Sequence, residues 1–166
     1  LRRSLEVDPI VFSTLLGGSG NDAANTNINS AAVDSAGNIY ATAITGSVDF
    51  PTTIGAFDRT SNGLGDAFVA KVDPSGSTLI YSTYLGGDTG ASETTPGLVV
   101  DADGNAFVSG GTSAADFPTT PGAFMTTMDG ASDCFVTKLD PTGSVLVYST
   151  YLGGNQSESV IGRALG

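Results

Sequence analysis

The sequence YSTYLGG at residues 81–87 occurs again, unchanged, at residues 148–154, which is 67 positions further along the chain. A related segment, FSTLLGG, lies at residues 12–18. Self-similarity at a fixed period of this length indicates a repeat architecture, in which each repeat forms one structural unit and packs on its neighbours. The repeat therefore decides the fold, and the rest of the sequence can be interpreted unit by unit.

The repeat extends well beyond this motif. DFPTT occupies residues 49–53 and 116–120, and residues 34–84 align with residues 101–151 without a gap, with 27 of the 51 paired positions identical. Neither end of the sequence completes a further unit. We therefore expect two whole repeats flanked by partial ones, which are too few to close a propeller ring within one chain.

Composition excludes several classes of function. The sequence of 166 residues carries 17 acidic and 6 basic side chains, for a net charge of −11. This charge opposes binding to nucleic acids, which needs Lys and Arg to displace counterions from phosphates, and it opposes attraction to anionic membranes. The sequence also lacks an apolar run of the length that spans a bilayer. We expect no nucleic-acid partner and no membrane insertion.

Each whole repeat has the pattern of four β-strands. Short runs rich in β-branched and aromatic residues are separated by turn sequences such as DSAGN at residues 34–38 and DPSGS at residues 73–77. The composition does not favour helices, so the predicted fold class is all-β. The predicted strands are 29–33, 39–45, 66–72 and 78–85 in the first repeat, and 97–100, 106–112, 133–139 and 145–152 in the second.

Several predicted strands are apolar on both faces. AFVAKV at residues 67–72 and TLIYSTYL at residues 78–85 do not alternate cleanly, which is typical of sheets packed on both sides by other sheets. Four-stranded antiparallel sheets that stack face to face around an axis are propeller blades. The aromatic residues recur in register between the repeats, which favours packing between blades over a single binding site. The aromatic residues expected to anchor the DFPTT loops, without lining an open pocket, are Phe50, Phe57, Phe117 and Phe124.

The fixed order of GGSGNDAA, DFPTT and DAFVAKVDPSGSTLIYSTYLGG resembles the bacterial repeats known as seven-bladed β-propeller repeats. The resemblance covers residues 10–154, which is nearly the whole sequence. It implies propeller-type blades and an extracellular or cell-surface location, because such repeats occur mostly in secreted or surface-anchored bacterial proteins. It implies no catalytic residues. The sequence departs from the family pattern in having too few units for a self-contained propeller.

The two ends resemble complementary parts of one blade. Residues 1–18 carry third- and fourth-strand sequence, and residues 155–166 carry first-strand sequence, on either side of the two repeats at 19–87 and 88–154. Unpaired strand edges recruit other chains. We therefore expect a homo-oligomer or polymer in which the tail of one copy pairs with the head of the next. The residues expected at this contact are Leu5, Val7, Val11, Phe12, Val160, Ile161 and Leu165.

The sequence offers one candidate metal site, a calcium loop. Asp101, Asp103 and Asn105 have the alternate spacing of such a loop. The first repeat has Ala36 where the second has Asp103, and no glutamate follows at the distance that a calcium loop requires. A hairpin turn explains the same residues, so we expect no cofactor and keep calcium as the alternative.

Other recurring polar residues favour structural roles. Lys71 and Lys138 recur beside aspartates and are interpreted as structural ion pairs. The recurring serines have no histidine to activate them, since the sequence contains none. The single cysteine, Cys134, aligns with Ala67 and is predicted to be a small buried strand residue. We therefore expect no catalytic residue.

These observations leave two main hypotheses for function. The leading one is a non-enzymatic, extracellular structural protein that assembles, as a filament or a ring, by completing a blade shared between copies. The alternative is a glycan- or protein-binding module that is a fragment of a larger surface propeller. An enzyme would need acid–base or metal constellations, which the sequence lacks. The particle size of the purified chain separates the first two hypotheses.

Overall fold

The structure, a computed structural model, describes residues 12–22, 30–88 and 90–158. Within these residues all regular structure is β-strand, and no helix there could cross a membrane. The all-β prediction is confirmed. The strands are β1 Ser30–Val33, β2 Ile39–Thr45, β3 Asp66–Val72, β4 Leu79–Leu85, β5 Glu93–Val100, β6 Ala106–Thr112, β7 Asp133–Leu139 and β8 Leu146–Leu152.

The strands form two four-stranded antiparallel meanders, with β1 to β4 in sheet 1 and β5 to β8 in sheet 2. In both sheets the second strand pairs with the third over its full length. Both sheets also have an irregularity at the same place, between Lys71 and Val72 in sheet 1 and between Lys138 and Leu139 in sheet 2. The prediction of a four-stranded antiparallel sheet in each repeat is confirmed.

The observed strand bounds follow the turn chemistry. The second and third strands of each sheet begin and end where predicted. The fourth strands begin one residue later than predicted, because the amides of Thr78 and Val145 bind the turn carboxylates of Asp73 and Asp140, at 2.8 and 2.9 Å. β5 begins at Glu93, before the predicted residue 97.

Asp34 organises the turn between β1 and β2. Its Oδ1 accepts hydrogen bonds from the amides of Ala36 and Asn38, at 3.0 and 2.9 Å, and Gly37 takes the positive φ of 83° that this turn needs. Its Oδ2 lies 3.4 Å from the Lys71 ammonium. Sheet 2 repeats the ion pair between Lys138 and Asp101, at 3.3 Å. The predicted structural ion pairs are confirmed.

The two sheets pack face to face on one hydrophobic core. Hydrogen bonds that cross between the two repeats include Ser30 Oγ to Leu98 O at 3.2 Å, Tyr40 Oη to Gly104 O at 3.3 Å, Phe57 N to Gly143 O at 2.8 Å and Glu93 N to Gly65 O at 3.0 Å. The fully buried members of the core are Tyr40, Ala67, Val69, Tyr81, Leu85, Leu98, Ala106, Val108, Ala114, Phe117, Phe135, Leu139 and Tyr151.

The first aromatic of each DFPTT loop anchors the loop, as predicted. Phe50 and Phe117 are buried. Their rings lie 4.3 Å from the ring of Phe68 and 4.4 Å from that of Phe135, between centroids. Such aromatic pairs add to the stability gained from burial alone.

The second aromatic of the loop behaves differently in the two repeats. Phe57 is half-buried and packs against the core, where the backbone of its loop bonds to Gly143 in sheet 2. Phe124, its counterpart, is 80% exposed, so the prediction that it anchors its loop is wrong. The two residues differ because sheet 2 covers Phe57, whereas no described sheet covers Phe124.

Candidate assembly surface

Sheets 1 and 2 meet through opposite faces of the blade. We call the face of sheet 1 that contacts sheet 2 its trailing face, and the face of sheet 2 that contacts sheet 1 its leading face. Because the sheets are copies, each has both faces. The trailing face of sheet 1 carries Tyr40, Ala67, Val69, Tyr81 and Leu85, and that of sheet 2 carries Phe107, Cys134, Val136, Tyr148 and Leu152. The leading face of sheet 2 carries Ala106, Val108, Phe135 and Leu139, and that of sheet 1 carries Ile39, Ala41, Phe68 and Val72.

The trailing face of sheet 2 is exposed to solvent at positions whose counterparts in sheet 1 are buried. Leu85 is fully buried, whereas its counterpart Leu152 is 51% exposed. Tyr148 and Phe124 are also exposed, and Phe57, the counterpart of Phe124, packs on the core between the two sheets. A contiguous exposed apolar patch on a folded domain marks an interaction site. The trailing face of sheet 2 is therefore the candidate assembly surface.

Residues 12–22 lie on sheet 1 in the way that residues 81–93 lie on sheet 2. The Phe12 ring packs against Gly76, as the Tyr81 ring packs against Gly143 one repeat later. The Ser19 amide donates to Asp49 Oδ1 at 2.7 Å. The corresponding bond in the next repeat joins the Asp88 amide to Asp116. Residues 12–22 therefore take the place that the end of a preceding blade would take.

Beside residues 12–22, the leading face of sheet 1 remains partly open. A groove of about 330 Å³ lies there, lined by Phe12, Leu16, Ile39, Ala41, Phe68 and Val72. The last four are the positions whose counterparts in sheet 2, Ala106, Val108, Phe135 and Leu139, are fully buried against sheet 1. The groove therefore lies where the trailing face of a preceding blade would pack on sheet 1.

The junction between successive blades contains buried carboxyl groups. Thr112 Oγ1, at the end of β6, donates to Glu93 Oε1 at 2.9 Å, and Thr45 Oγ1 donates to Asp22 Oδ1 in the same way at 2.5 Å. Burial raises the pKa of Glu93 to about 8, although the Thr112 hydrogen bond opposes the rise. Burial likewise raises the pKa of Asp66, which begins β3.

Sequence reasoning did not identify these carboxyl groups. An acidic residue follows each LGG motif, but Asp22 lies 5 residues after Gly17, Glu93 lies 7 after Gly86, and Glu158 lies 5 after Gly153. The linker varies in length and falls outside the gapless alignment. An alignment that starts at each LGG motif and admits gaps would have found them.

The calcium candidate forms a turn around an ion pair. Asp101 Oδ1 accepts hydrogen bonds from the amides of Asp103 and Asn105, at 3.0 and 2.9 Å, and Lys138 occupies Oδ2. Asp103 contributes its amide, and its side chain is exposed. Burial opposes ionisation of Asp101, but hydrogen bonds from Asn105 and Lys138 outweigh it and lower its pKa. Over the described ranges, no group of three or more acidic, histidine or cysteine side chains is placed to hold a metal.

Of the residues predicted at the assembly contact, the structure places Phe12, on the leading face of sheet 1. Cys134 lies in β7 on the trailing face of sheet 2 and is half-buried rather than buried, because no described sheet covers it as sheet 2 covers Ala67. Burial, with the nearby carboxylates of Glu158 and Asp133, raises the pKa of its thiol. The other predicted contact residues, Leu5, Val7, Val11, Val160, Ile161 and Leu165, lie outside the described residues.

Comparison with known proteins agrees with this architecture. Residues 80–118 match a family model described as a β-propeller repeat. The matched segment runs from β4 across the blade junction to the DFPTT loop of the second repeat. No curated protein matches the chain.

Proposed function

Since the chain carries the β-propeller repeat, whose blades are stable only when stacked, we propose that it is a non-enzymatic structural protein that assembles with copies of itself, blade upon blade. The observation that carries the proposal is the exposure of the trailing face of sheet 2, whose counterpart in sheet 1 is buried. The family resemblance supports an extracellular or cell-surface location. A propeller-type module could serve binding or structure, and the exposed face favours structure.

The contact that we propose copies the junction between sheets 1 and 2. The trailing face of sheet 2 in one molecule packs on the partial blade that residues 5–16 begin in the next, which in turn lies on the leading face of sheet 1 through Phe12 and Gly76. Tyr148 and Leu152 become buried there, as Tyr81 and Leu85 are within one chain. The two faces differ, so the contact is heterologous and produces a ring if the rotation closes and a filament if it does not.

Strand exchange completes the contact. The tail of one copy, from Val160 to Leu165, adds to the partial blade that the next copy begins with residues 5–16, as its first-strand-like sequence predicts. The seating of Phe12 on sheet 1 supports this role for the head of the chain, because Phe12 already occupies a fourth-strand position.

Light scattering over a range of protein concentrations tests the proposal. The wild-type chain is expected to grow in mass with concentration, whereas Leu152→Glu stays monomeric because it places a charge in the contact. Ile54→Glu is the matched control, since Ile54 is equally apolar, 93% exposed and located in a loop of sheet 1, outside the trailing face of sheet 2. It should assemble like the wild type.

The thiol of Cys134 gives a second readout. Its labelling rate should fall on assembly, because the next molecule covers it as sheet 2 covers Ala67. A wild-type chain that stays monomeric at every concentration, or a Leu152→Glu variant that assembles normally, would contradict the proposal. A monomer would favour the alternative, a binding module whose open faces are covered by further blades of a longer polypeptide.

A further inference from the structure

Asp66 and Glu93 bring two buried carboxyl groups together at the junction of the two sheets. Asp66 begins β3 of sheet 1, Glu93 begins β5 of sheet 2, and both are almost fully buried. Their oxygens converge beside Gly86. A Cβ on this glycine would lie 2.5 Å from Asp66 Oδ1 and 2.8 Å from Glu93 Oε2.

The same arrangement recurs at the end of sheet 2. A Cβ on Gly153 would lie 2.6 Å from Asp133 Oδ1 and 2.9 Å from Glu158 Oε2. Asp133 is fully buried. The pair thus recurs although the linker between glycine and glutamate differs in length. A recurrence that survives a change of loop length indicates that the pairing itself is a structural requirement.

The oxygens that meet in these pairs lack partners. Glu93 Oε2, Asp133 Oδ1 and Glu158 Oε2 are buried side-chain atoms without a hydrogen bond among the described residues. The ion pairs formed within those residues use Lys71 with Asp34 and Lys138 with Asp101, so they do not neutralise these carboxylates. Two ionised carboxylates so close in a buried site repel each other, and one of them normally keeps its proton.

We propose that the two carboxyl groups of each pair share one proton, which forms a lock that ionisation opens, at the junction of the two sheets and again after β8. The Oε2–H of Glu93 donates to Asp66 Oδ1, and Glu158 donates to Asp133 Oδ1 in the same way. Asp66 then carries the negative charge, which the amides of Asn62 and Gly63 stabilise at 2.8 and 3.2 Å. One proton per pair gives a hydrogen bond to each of the three unpartnered oxygens, Glu93 Oε2, Asp133 Oδ1 and Glu158 Oε2.

The titratable groups around the two pairs carry no positive charge. Around the first pair, Asp66 raises the pKa of Glu93, and Asp58 raises that of Asp66. The phenols of Tyr84 and Tyr151 also lie within electrostatic range of the first pair. Cys134 and Tyr151 lie within range of Asp133 in the second pair. These neighbours are acidic or neutral at pH 7, and none supplies a positive charge.

The direction of the pH effect follows from the raised pKa. A Glu that keeps its proton in the folded state but loses it when unfolded gives stability that is complete below the unfolded value of about 4.5 and is lost as pH rises towards about 8. The melting temperature of the wild type should therefore fall between these two values and level off above the higher one.

Thermal unfolding of the wild type and of Glu93→Gln across this pH range tests the lock. The Gln amide donates to Asp66 at any pH, so the variant should show a shallower fall in melting temperature than the wild type. Asp103→Asn, which neutralises an exposed acid far from the pairs, should keep the wild-type slope. Parallel profiles for the wild type and Glu93→Gln would overturn the proposal.

Calorimetry in buffers of different ionisation enthalpy provides a test on the wild type alone. Folding near pH 7 should take up protons, and the uptake should shrink in Glu93→Gln. An absence of proton uptake in the wild type would overturn the proposal. So would a rise in melting temperature with millimolar calcium that Glu93→Gln abolishes, since a cation would then occupy the place of the proton.

Discussion

Tyr81 and Tyr148 occupy the same position in two identical YSTYLGG segments, yet Tyr81 is 1% exposed and Tyr148 is 37% exposed. Sheet 2 accounts for the difference, because Gly143 seats the Tyr81 ring and no described residue does the same for Tyr148. The two environments differ while the sequence does not. Comparison of paired positions therefore isolates what a neighbouring blade contributes.

Removal of residues 159–166 should reduce assembly while leaving both sheets folded. The shortened chain loses the strand that we propose to be exchanged but keeps Glu158 and the whole of β8. Circular dichroism should show unchanged strand content, and light scattering should show smaller particles than the intact chain forms. Particles of undiminished size would mean that the tail has no part in the contact.

Phe117→Ala should destabilise the protein strongly, and Phe124→Ala should not. Phe117 is buried against Phe135 and Tyr151, so its removal leaves a cavity, and such changes cost about 3–5 kcal/mol of unfolding free energy. Phe124 is exposed, and its removal should change stability by less than about 0.5 kcal/mol in the monomer. Urea unfolding of both variants measures the contrast. Equal losses would contradict the assigned packing.

Tyr84→Phe should cost stability where Tyr81→Phe does not. The Tyr84 hydroxyl donates to Ser47 O at 2.6 Å and accepts from the Phe50 amide at 3.0 Å. Its loss leaves this buried carbonyl and amide without a hydrogen-bond partner, which costs about 1–3 kcal/mol. The Tyr81 hydroxyl is buried without a partner among the described residues, and Phe12 occupies the equivalent position in the first copy of the motif. Tyr81→Phe should be neutral or stabilising in the same urea experiment. A clear loss there would reveal a partner for this hydroxyl.

Gly86→Ala should destabilise the junction, and Gly97→Ala should be tolerated. A methyl group on Gly86 collides with the Asp66 and Glu93 carboxyls, and overpacking of this kind costs about 1–3 kcal/mol. A methyl group on Gly97, within β5, meets Ser109 Oγ at 3.5 Å, which is an ordinary contact. Thermal melts of the two variants compare them directly. Similar melting temperatures would show that the junction yields to the added methyl group.

Acid should weaken the turn that Asp34 organises. Burial opposes its ionisation, but hydrogen bonds from Asn38, Lys71 and Ala36 outweigh it and lower the pKa of Asp34 to about 2. A lowered folded-state pKa gives stability that is present above the ordinary value of 3.8 and is lost as pH falls towards about 2. Asp34→Asn should lose less stability than the wild type over this range in melts at stepped pH. An unchanged slope would mean that the ionised Asp34 carboxylate, with its hydrogen bonds and its ion pair, does not contribute.

Most of the fold could be predicted from the sequence because turn chemistry and the repeat agree. The Asp and Gly residues of each turn fix where strands end, and the ungapped alignment required both sheets to share one register. The prediction for Phe124 was wrong because the repeat led us to expect the same burial for Phe57 and Phe124. Burial at this position depends on the next sheet, which lies outside the repeat itself. The carboxyl pair of Asp66 and Glu93 was missed because its members are distant in sequence and belong to different blades.

The unlike faces of the blade give any stack of these molecules a direction. One end presents the open trailing face with Tyr148, and the other presents a leading face on which the Phe12 ring already covers Gly76 from within its own chain. Every addition joins one end of each kind, whichever end of the stack grows. A subunit damaged only on its trailing face would therefore still join a stack through its leading end and then terminate growth there.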